Sequence, residues 1–323
     1  MTFGIKSSRH WLMPGVFFLL TLLLSGCATQ TRMLLKQTPA HLPPRVELTS
    51  TPFFAQERYQ CGPATLAMSL NAAGIGISPD SLVPQVFVPK REGSFQPEMR
   101  AAGRRNGAFS MTIPPRLDAL LSEVAAGNPV IVLQNLSLPI SPLWHYALVI
   151  GYDLNQEEII LRSGTTERLA MPVSTFEHTW KRSDFWGMVT LPPGRLPATA
   201  EQGTASDALV AFEKNASPAQ ARKAYEAALK RWPDSLVLQL GLGNTAYAAG
   251  DRPAAAEVFR RATEKHPDSA PAFNNLATVL ADLGRFDEAK QAAQKAVDLG
   301  GPWREASMAT LRSIEATQSK TAR

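Results

Sequence analysis

Three positions in the C-terminal half recur at a spacing of 34 residues: Tyr225, Phe259 and Ala293. Pro233 and Pro267 keep the same phase in the phrases KRWPDS and EKHPDS. Ala255 is answered by Ala289, and Gly250 by Gly284. Nothing else in the chain constrains its fold as tightly. A period of this length is one pair of helices, which cannot bury its apolar face alone and must stack on further copies. Small residues at the phased positions let paired helices approach, and the glycines fall in the turns between them. Two repeats are clear, 236–269 and 270–303, and a weaker one covers roughly 203–235. We assign 207–303 to this array and 304–323 to a capping helix and tail.

The period, the Pro-Asp-Ser phrases and the small residues are similar to the tetratricopeptide repeat. The resemblance implies an all-α solenoid whose concave face recruits a protein partner or substrate. Upstream, the pattern differs. PPGRLPATAEQGTAS holds a linker, assigned to 194–206, that separates the array from a domain over 46–193. There, RVELTSTPFF reads as strand-like. GPATLAMSLNAAG, QPEMRAAGRRNG and PRLDALLSEVAAGN read as helices. PVIVLQNL, WHYALVIGYD, EEIILRS, ERLAMP and FWGMVTL then alternate or run apolar between turn signals, as strands do. Helices followed by an antiparallel sheet predict an α+β domain.

Residues 1–27 read as a targeting segment: Lys6 and Arg9, then the apolar run VFFLLTLLL, then LSGC. The run is too short for a permanent membrane span. LSGC resembles the lipobox of bacterial lipoprotein signal peptides, which implies lipidation of Cys27 and a membrane anchor. Ala28, where Asp would signal inner-membrane retention, implies the outer membrane of a Gram-negative cell, facing the periplasm. Residues 28–45, polar with scattered prolines, are expected to form an extended tether.

The chain has two cysteines, Cys27 and Cys61. If Cys27 carries lipid, Cys61 has no disulfide partner, which is unusual for an exported protein unless the thiol is buried or used. Cys61 stands in QERYQCGPATLAMSL, just before a helix start, where the helix dipole and free backbone N–H groups favour a thiolate. Gly62 is expected to leave room for a substrate backbone, and Pro63 suits the first helical turn. Gln56, five residues upstream, or Gln60, immediately upstream, can supply an amide to a tetrahedral oxyanion. Such a nucleophile needs a base. WHYALVIGYD offers His145 on a strand, with Ala147 and Val149 on its face and Tyr146, Leu148 and Ile150 on the other. Trp144 and Tyr59 are candidates for the wall of a substrate cleft.

The Gln, the Cys-Gly-Pro-Ala-x-Leu helix start and the His-Tyr-x-x-Val-x-Gly-Tyr-Asp strand resemble the papain-like cysteine peptidases. More narrowly, they are similar to the bacteriocin-leader (double-glycine) peptidases and their stand-alone lipoprotein relatives. The resemblance implies Cys61 as nucleophile, His145 as base and later acid, and Gln56 as oxyanion donor. Two departures stand out. The family glutamine commonly sits six residues before the cysteine, not five. The carboxylate expected after the histidine is missing from EEIILRSGTTE, and Ser163 stands roughly in its place. Asn135 or Gln134 are alternatives, and Asp153 reads as part of a turn.

No metal-ligand spacing, phosphate loop or other cofactor motif occurs. A net charge of +5 and a pI near 9.3, without a basic block interleaved with aromatics, do not favour nucleic acid as a partner. The expectation is a membrane-anchored peptidase acting through a Cys-His thioester. Two alternatives stay open: a non-catalytic peptide-binding adaptor on a degenerate peptidase fold, and a Cys-His cell-wall amidase or acyltransferase.

Overall fold

The computed structural model describes residues 28–56 and 60–321. The lipobox with Cys27, and Tyr59, lie outside the described residues. A seven-stranded sheet organises the first domain, in the order β4-β9-β5-β6-β7-β8 with β1 also beside β6. Its strands are β1 (Arg45–Glu47), β4 (Phe109–Thr112), β5 (Val130–Asn135), β6 (Trp144–Asp153), β7 (Glu158–Ser163), β8 (Thr166–Pro172) and β9 (Gly187–Leu191), with a short separate hairpin of β2 (Phe87–Val88) and β3 (Gly93–Ser94). All the pairings are antiparallel.

Helices cover both faces, which is why the central strands are apolar almost throughout. On one face Val130, Val132, Ala147 and Val149 pack with α1 (Thr29–Lys36), α5 (Leu117–Ala125) and α6 (Val173–Lys181). On the other, Ile131, Tyr146, Leu148 and Ile150 pack with α2 (Cys61–Ala72), α3 (Pro79–Val86) and α4 (Gln96–Arg105). The period-two alternation read in WHYALVIGYD thus separates two cores. Within 46–193, two helices went unread in the sequence. Helix α3 carries Pro84 inside it and starts with Ser78 capping Ser81 N–H and Pro79 in the first turn. Helix α6 is short, and only its buried Val173, Phe176 and Trp180 mark it as amphipathic.

The expected extended tether is instead partly helical and docked. Helix α1 begins after Ala28, which gives it no side-chain cap. The cap comes from Glu177 on α6: Oε1 accepts from Gln30 N–H at 3.0 Å, and Oε2 accepts from Thr31 N–H and Oγ1 at 2.7 Å each. A carboxylate on free amides at a helix N-terminus is the favourable polarity. Leu34 and Leu42 then reach the core. No local pattern in 28–45 reports that a residue far along the chain supplies the cap.

The connection to the second half is held in a similar way. Glu123 on α5 is fully buried, and its carboxyl oxygens accept four hydrogen bonds. They come from Asn128 Nδ2 (2.7 Å), Ala198 N–H (3.2 Å), and Thr199 N–H and Oγ1 (2.8 and 2.5 Å). A run of helices follows: α7 (Gln202–Glu213), α8 (Pro218–Arg231), α9 (Leu236–Ala248), α10 (Arg252–Lys265), α11 (Ala270–Asp282), α12 (Phe286–Leu299) and α13 (Arg304–Thr321). The first of them pack on Phe109 and Met111 of edge strand β4, in a core with Leu209, Phe212, Tyr225 and Leu238. The edge is therefore covered rather than left open to pairing. Within the array, a Cβ at Gly243 would collide with the Phe259 ring, so the phased glycine and phenylalanine are complementary. One repeat later the pair is Ala277 and Ala293, both in one core.

Candidate active site

Cys61 is the first residue of α2, with Gln60 at the N-cap making no side-chain cap. The helix starts where Pro63, already set for helical φ, enters its first turn. It lies against β6 beyond the end of β7, where the peptide of Tyr146 is free of ladder partners on that side. Two catalytic candidates converge on that peptide. The Tyr146 N–H acts on the Cys61 sulfur. The Tyr146 carbonyl accepts from Thr65 Oγ1 at 3.3 Å and from Gln56 Nε2 at 3.5 Å.

Gln56 is buried, with Nε2 3.1 Å from Thr65 Oγ1. Thr65 lies four residues after Cys61, on the same face of α2. The Gln56 amide is thus one helical turn below the sulfur, and its Oε1 is buried without a partner. Its backbone N–H donates to Gly164 O at 3.0 Å, which fastens the Gln56 loop to the β7–β8 turn.

That turn carries Ser163. His145 Nε2 and Ser163 Oγ are 2.9 Å apart. The hydroxyl can accept from Nε2–H, the tautomer that leaves the Nδ1 lone pair for proton transfer. Gln134 and Asn135 are engaged elsewhere. Gln134 donates to Thr179 Oγ1 at 2.6 Å. Asn135 Oδ1 accepts from Ser137 and Leu143 N–H at 3.0 and 2.9 Å. Asp153 accepts from Asn155 and Gln156 N–H in the β6–β7 turn.

Burial pushes the Cys61 thiol up; the N–H groups of Tyr146, Gly62 and Cys61 itself pull the other way without winning. Burial likewise pulls the His145 imidazolium down. Both shifts favour the uncharged form of each group, the thiol at Cys61 and the neutral imidazole at His145. The helix start predicted thiolate character, and desolvation overrides it.

Gly62 does not open space for a substrate. A Cβ there would collide with Ser94 of β3, so the glycine serves close packing against that hairpin. Ser94 and Trp186 are the residues the sequence reading missed. The Ser94 carbonyl accepts from Tyr146 Oη at 3.2 Å, and the Trp186 ring meets Tyr146 edge-on at 5.8 Å. Nothing local flags either, since both act through contacts of long sequence separation. Trp144, on the Tyr146 face of β6, is half exposed and open to a ligand. Beside Trp186, a cavity of about 310 Å³ is lined by Gln96, Ile113, Phe185 and their neighbours.

Two family matches accord with this layout. Residues 48–187 match the Peptidase_C39 like family. That span is a C39-peptidase-like domain. Residues 240–302 match the Tetratricopeptide repeat. A solved C39-like peptidase from Bacillus anthracis is 19% identical, covering 46% of this chain and 97% of that one, with a TM-score of 0.39. The Sgt2 tetratricopeptide-repeat domain from Aspergillus fumigatus is 21% identical, covering 39% and 83%, with a TM-score of 0.36. No curated protein matches the chain. Cys61, His145 and Ser163 all fall within the C39-peptidase-like span, and the repeats are protein-interaction modules. Among the described residues there is no cluster of side chains that could hold a metal ion.

Proposed function

We propose that the chain is a cysteine peptidase, anchored by a lipid on Cys27 to the outer membrane and facing the periplasm, with its repeats recruiting a protein substrate or partner. The observation that carries the catalytic reading is the 2.9 Å approach of Ser163 Oγ to His145 Nε2, on the residue next to Tyr146, whose N–H acts on the Cys61 sulfur. The anchor is supported by LSGC alone.

In this reading His145 Nδ1 takes the thiol proton as Cys61 Sγ bonds to the scissile carbonyl carbon. The carbonyl π pair moves to oxygen, toward the free N–H groups at the start of α2. Gln56 assists by turning its amide away from the Tyr146 carbonyl. Collapse breaks the C–N bond, and the leaving nitrogen takes the proton from His145. Water, deprotonated by His145, then attacks the thioester, releasing a carboxylate and regenerating the thiol.

Cys61→Ala is the direct test. Incubated with a periplasmic protein extract, the wild-type protein should generate new N-termini that the Cys61→Ala protein does not. Equal cleavage by both would end the proposal. The shifts at the site set a pH signature. With His145 lowered, the acid limb of kcat/KM should fall below pH 6.5, the ordinary histidine value. With Cys61 raised, alkylation by iodoacetamide should be slow near neutrality and climb through the region above pH 9, its ordinary value. A neutral-pH plateau in the alkylation rate would contradict that assignment.

The burial-raised thiol also favours a second reading, a peptide-binding adaptor on a peptidase fold. It requires that a bound peptide protects Cys61 from alkylation and survives intact on prolonged incubation.

A further inference from the structure

We propose that the β5–β6 hairpin tip, residues 136–144, lies in the surface of the phospholipid bilayer that carries the Cys27 anchor, so that the active site opens at the membrane. The proposal rests on the lipidated-Cys27 reading above, and the occupant is the lipid bilayer itself.

The tip reads LSLPISPLW and has no charged residue. Its side chains point outward: Ile140 is 91% exposed, Leu138 61%, Leu143 59% and Trp144 48%. A soluble surface does not keep so many large apolar groups together without a use. A tryptophan beside aliphatic residues is the composition of a segment at the headgroup boundary. Nor is the tip loosely held. Asn135 Oδ1 bridges Ser137 and Leu143, Leu136 N–H bonds Leu143 O at 2.9 Å, and Arg182 Nη1 holds Asn135 O and Ser137 O at 2.9 and 2.8 Å. The apolar residues are presented by a braced hairpin.

The proposed lipid on Cys27 says what covers it. Helix α1 begins at Thr29, and Glu177 fixes its first turn to α6. Gln30 adds a bond from Leu117 N–H to its Oε1 at 2.6 Å. Thr29, two residues after Cys27 in sequence, therefore already belongs to the docked helix. Glu177 and Arg182, the hairpin's brace, are five residues apart, about 7.5 Å along α6. The anchor and the hairpin therefore leave the domain at one end. The strand directions agree. Strand β4 ends beside the start of β9, and β5 ends beside the start of β6, at the same edge of the sheet. Ser163 closes β7 at that edge, and His145 follows Trp144 directly. Exposed Lys181 and Arg182 stand at the hairpin base, a sign suited to acidic lipid headgroups.

The test uses the purified full lipoprotein in vesicles of phosphatidylethanolamine and phosphatidylglycerol whose acyl chains carry bromine, a short-range quencher of tryptophan. Wild-type emission should be quenched. Trp144→Phe should lose most of that quenching, and so should the Leu138→Asp, Ile140→Asp double variant, with circular dichroism unchanged. If the double variant misfolds, Trp144→Phe still decides. Undiminished quenching in Trp144→Phe, or none in the wild type, overturns the proposal. So does quenching that appears only when an apolar peptide substrate is added, which would make the hairpin a substrate contact. Palmitate labelling of Cys27 in the same preparation separates the two readings. A labelled protein without Trp144 quenching defeats the hairpin proposal alone; an unlabelled one defeats the anchor and the proposal together.

Discussion

His145→Ala is expected to lower kcat/KM on any peptide the wild-type protein cleaves by roughly two to four orders of magnitude, the usual range for removing a general acid–base group. The ring is partly buried and its side-chain hydrogen bond is to the single hydroxyl of Ser163, which predicts only a modest change in unfolding midpoint. Retained turnover in a correctly folded His145→Ala protein would leave the site without its base. Ser163 supplies a graded companion. Ser163→Ala removes the only partner found for Nε2 among the described residues, and should cost less than His145→Ala because it affects tautomer and aim, not the base itself. Ser163→Asp puts a carboxylate beside Nε2 and favours the imidazolium. It should move the acid limb of kcat/KM to higher pH and speed alkylation of Cys61 near neutrality, as thiolate–imidazolium becomes the better-populated pair. Unchanged alkylation in Ser163→Asp would mean that burial alone governs the thiol.

Glu123→Ala is expected to destabilise the protein by about 3 kcal/mol, because it strips acceptors from Asn128, Ala198 and Thr199 inside the fold. Urea denaturation checks this through a lower midpoint at unchanged slope. Limited proteolysis should also begin to cut within 194–201, since Ala198 and Thr199 would lose their hold. Glu123→Gln should fall between, because its amide NH2 would face donors on one side. A midpoint equal to wild type would show that the bonds to 198–199 contribute nothing net. The stakes reach beyond stability: a secured connection gives the repeats a defined position on β4, which matters if they deliver a substrate to Cys61.

Much of this was readable from the chain, for identifiable reasons. The 34-residue phase names helix pairs because each repeat must present small residues where helices meet; Gly243 under Phe259 is that requirement in atomic form. Alternation along WHYALVIGYD separated the two cores because a strand has no other way to distribute its side chains. The approach of Ser163 to His145 could be placed because His145 opens β6 and Ser163 closes the adjacent antiparallel β7, at one end of the sheet. The ionisation of Cys61 could not. A helix start favours a thiolate wherever it occurs, but burial depends on Tyr146, Trp186 and the rest of the core packed around it.

The sequence by itself determined the repeat array, the order of cysteine, histidine and serine, and the faces of the central strands, since each is written in local periodicity or spacing. Only the tertiary structure decided that Gly62 packs on Ser94, that the Gln56 amide rests on Thr65 and the Tyr146 carbonyl, and that residues 29–36 are a docked helix. It also decided that Glu123 and Glu177 hold distant backbone amides. Those outcomes depend on desolvation and on partners up to 147 residues away, and neither has a signature in a window of neighbouring residues.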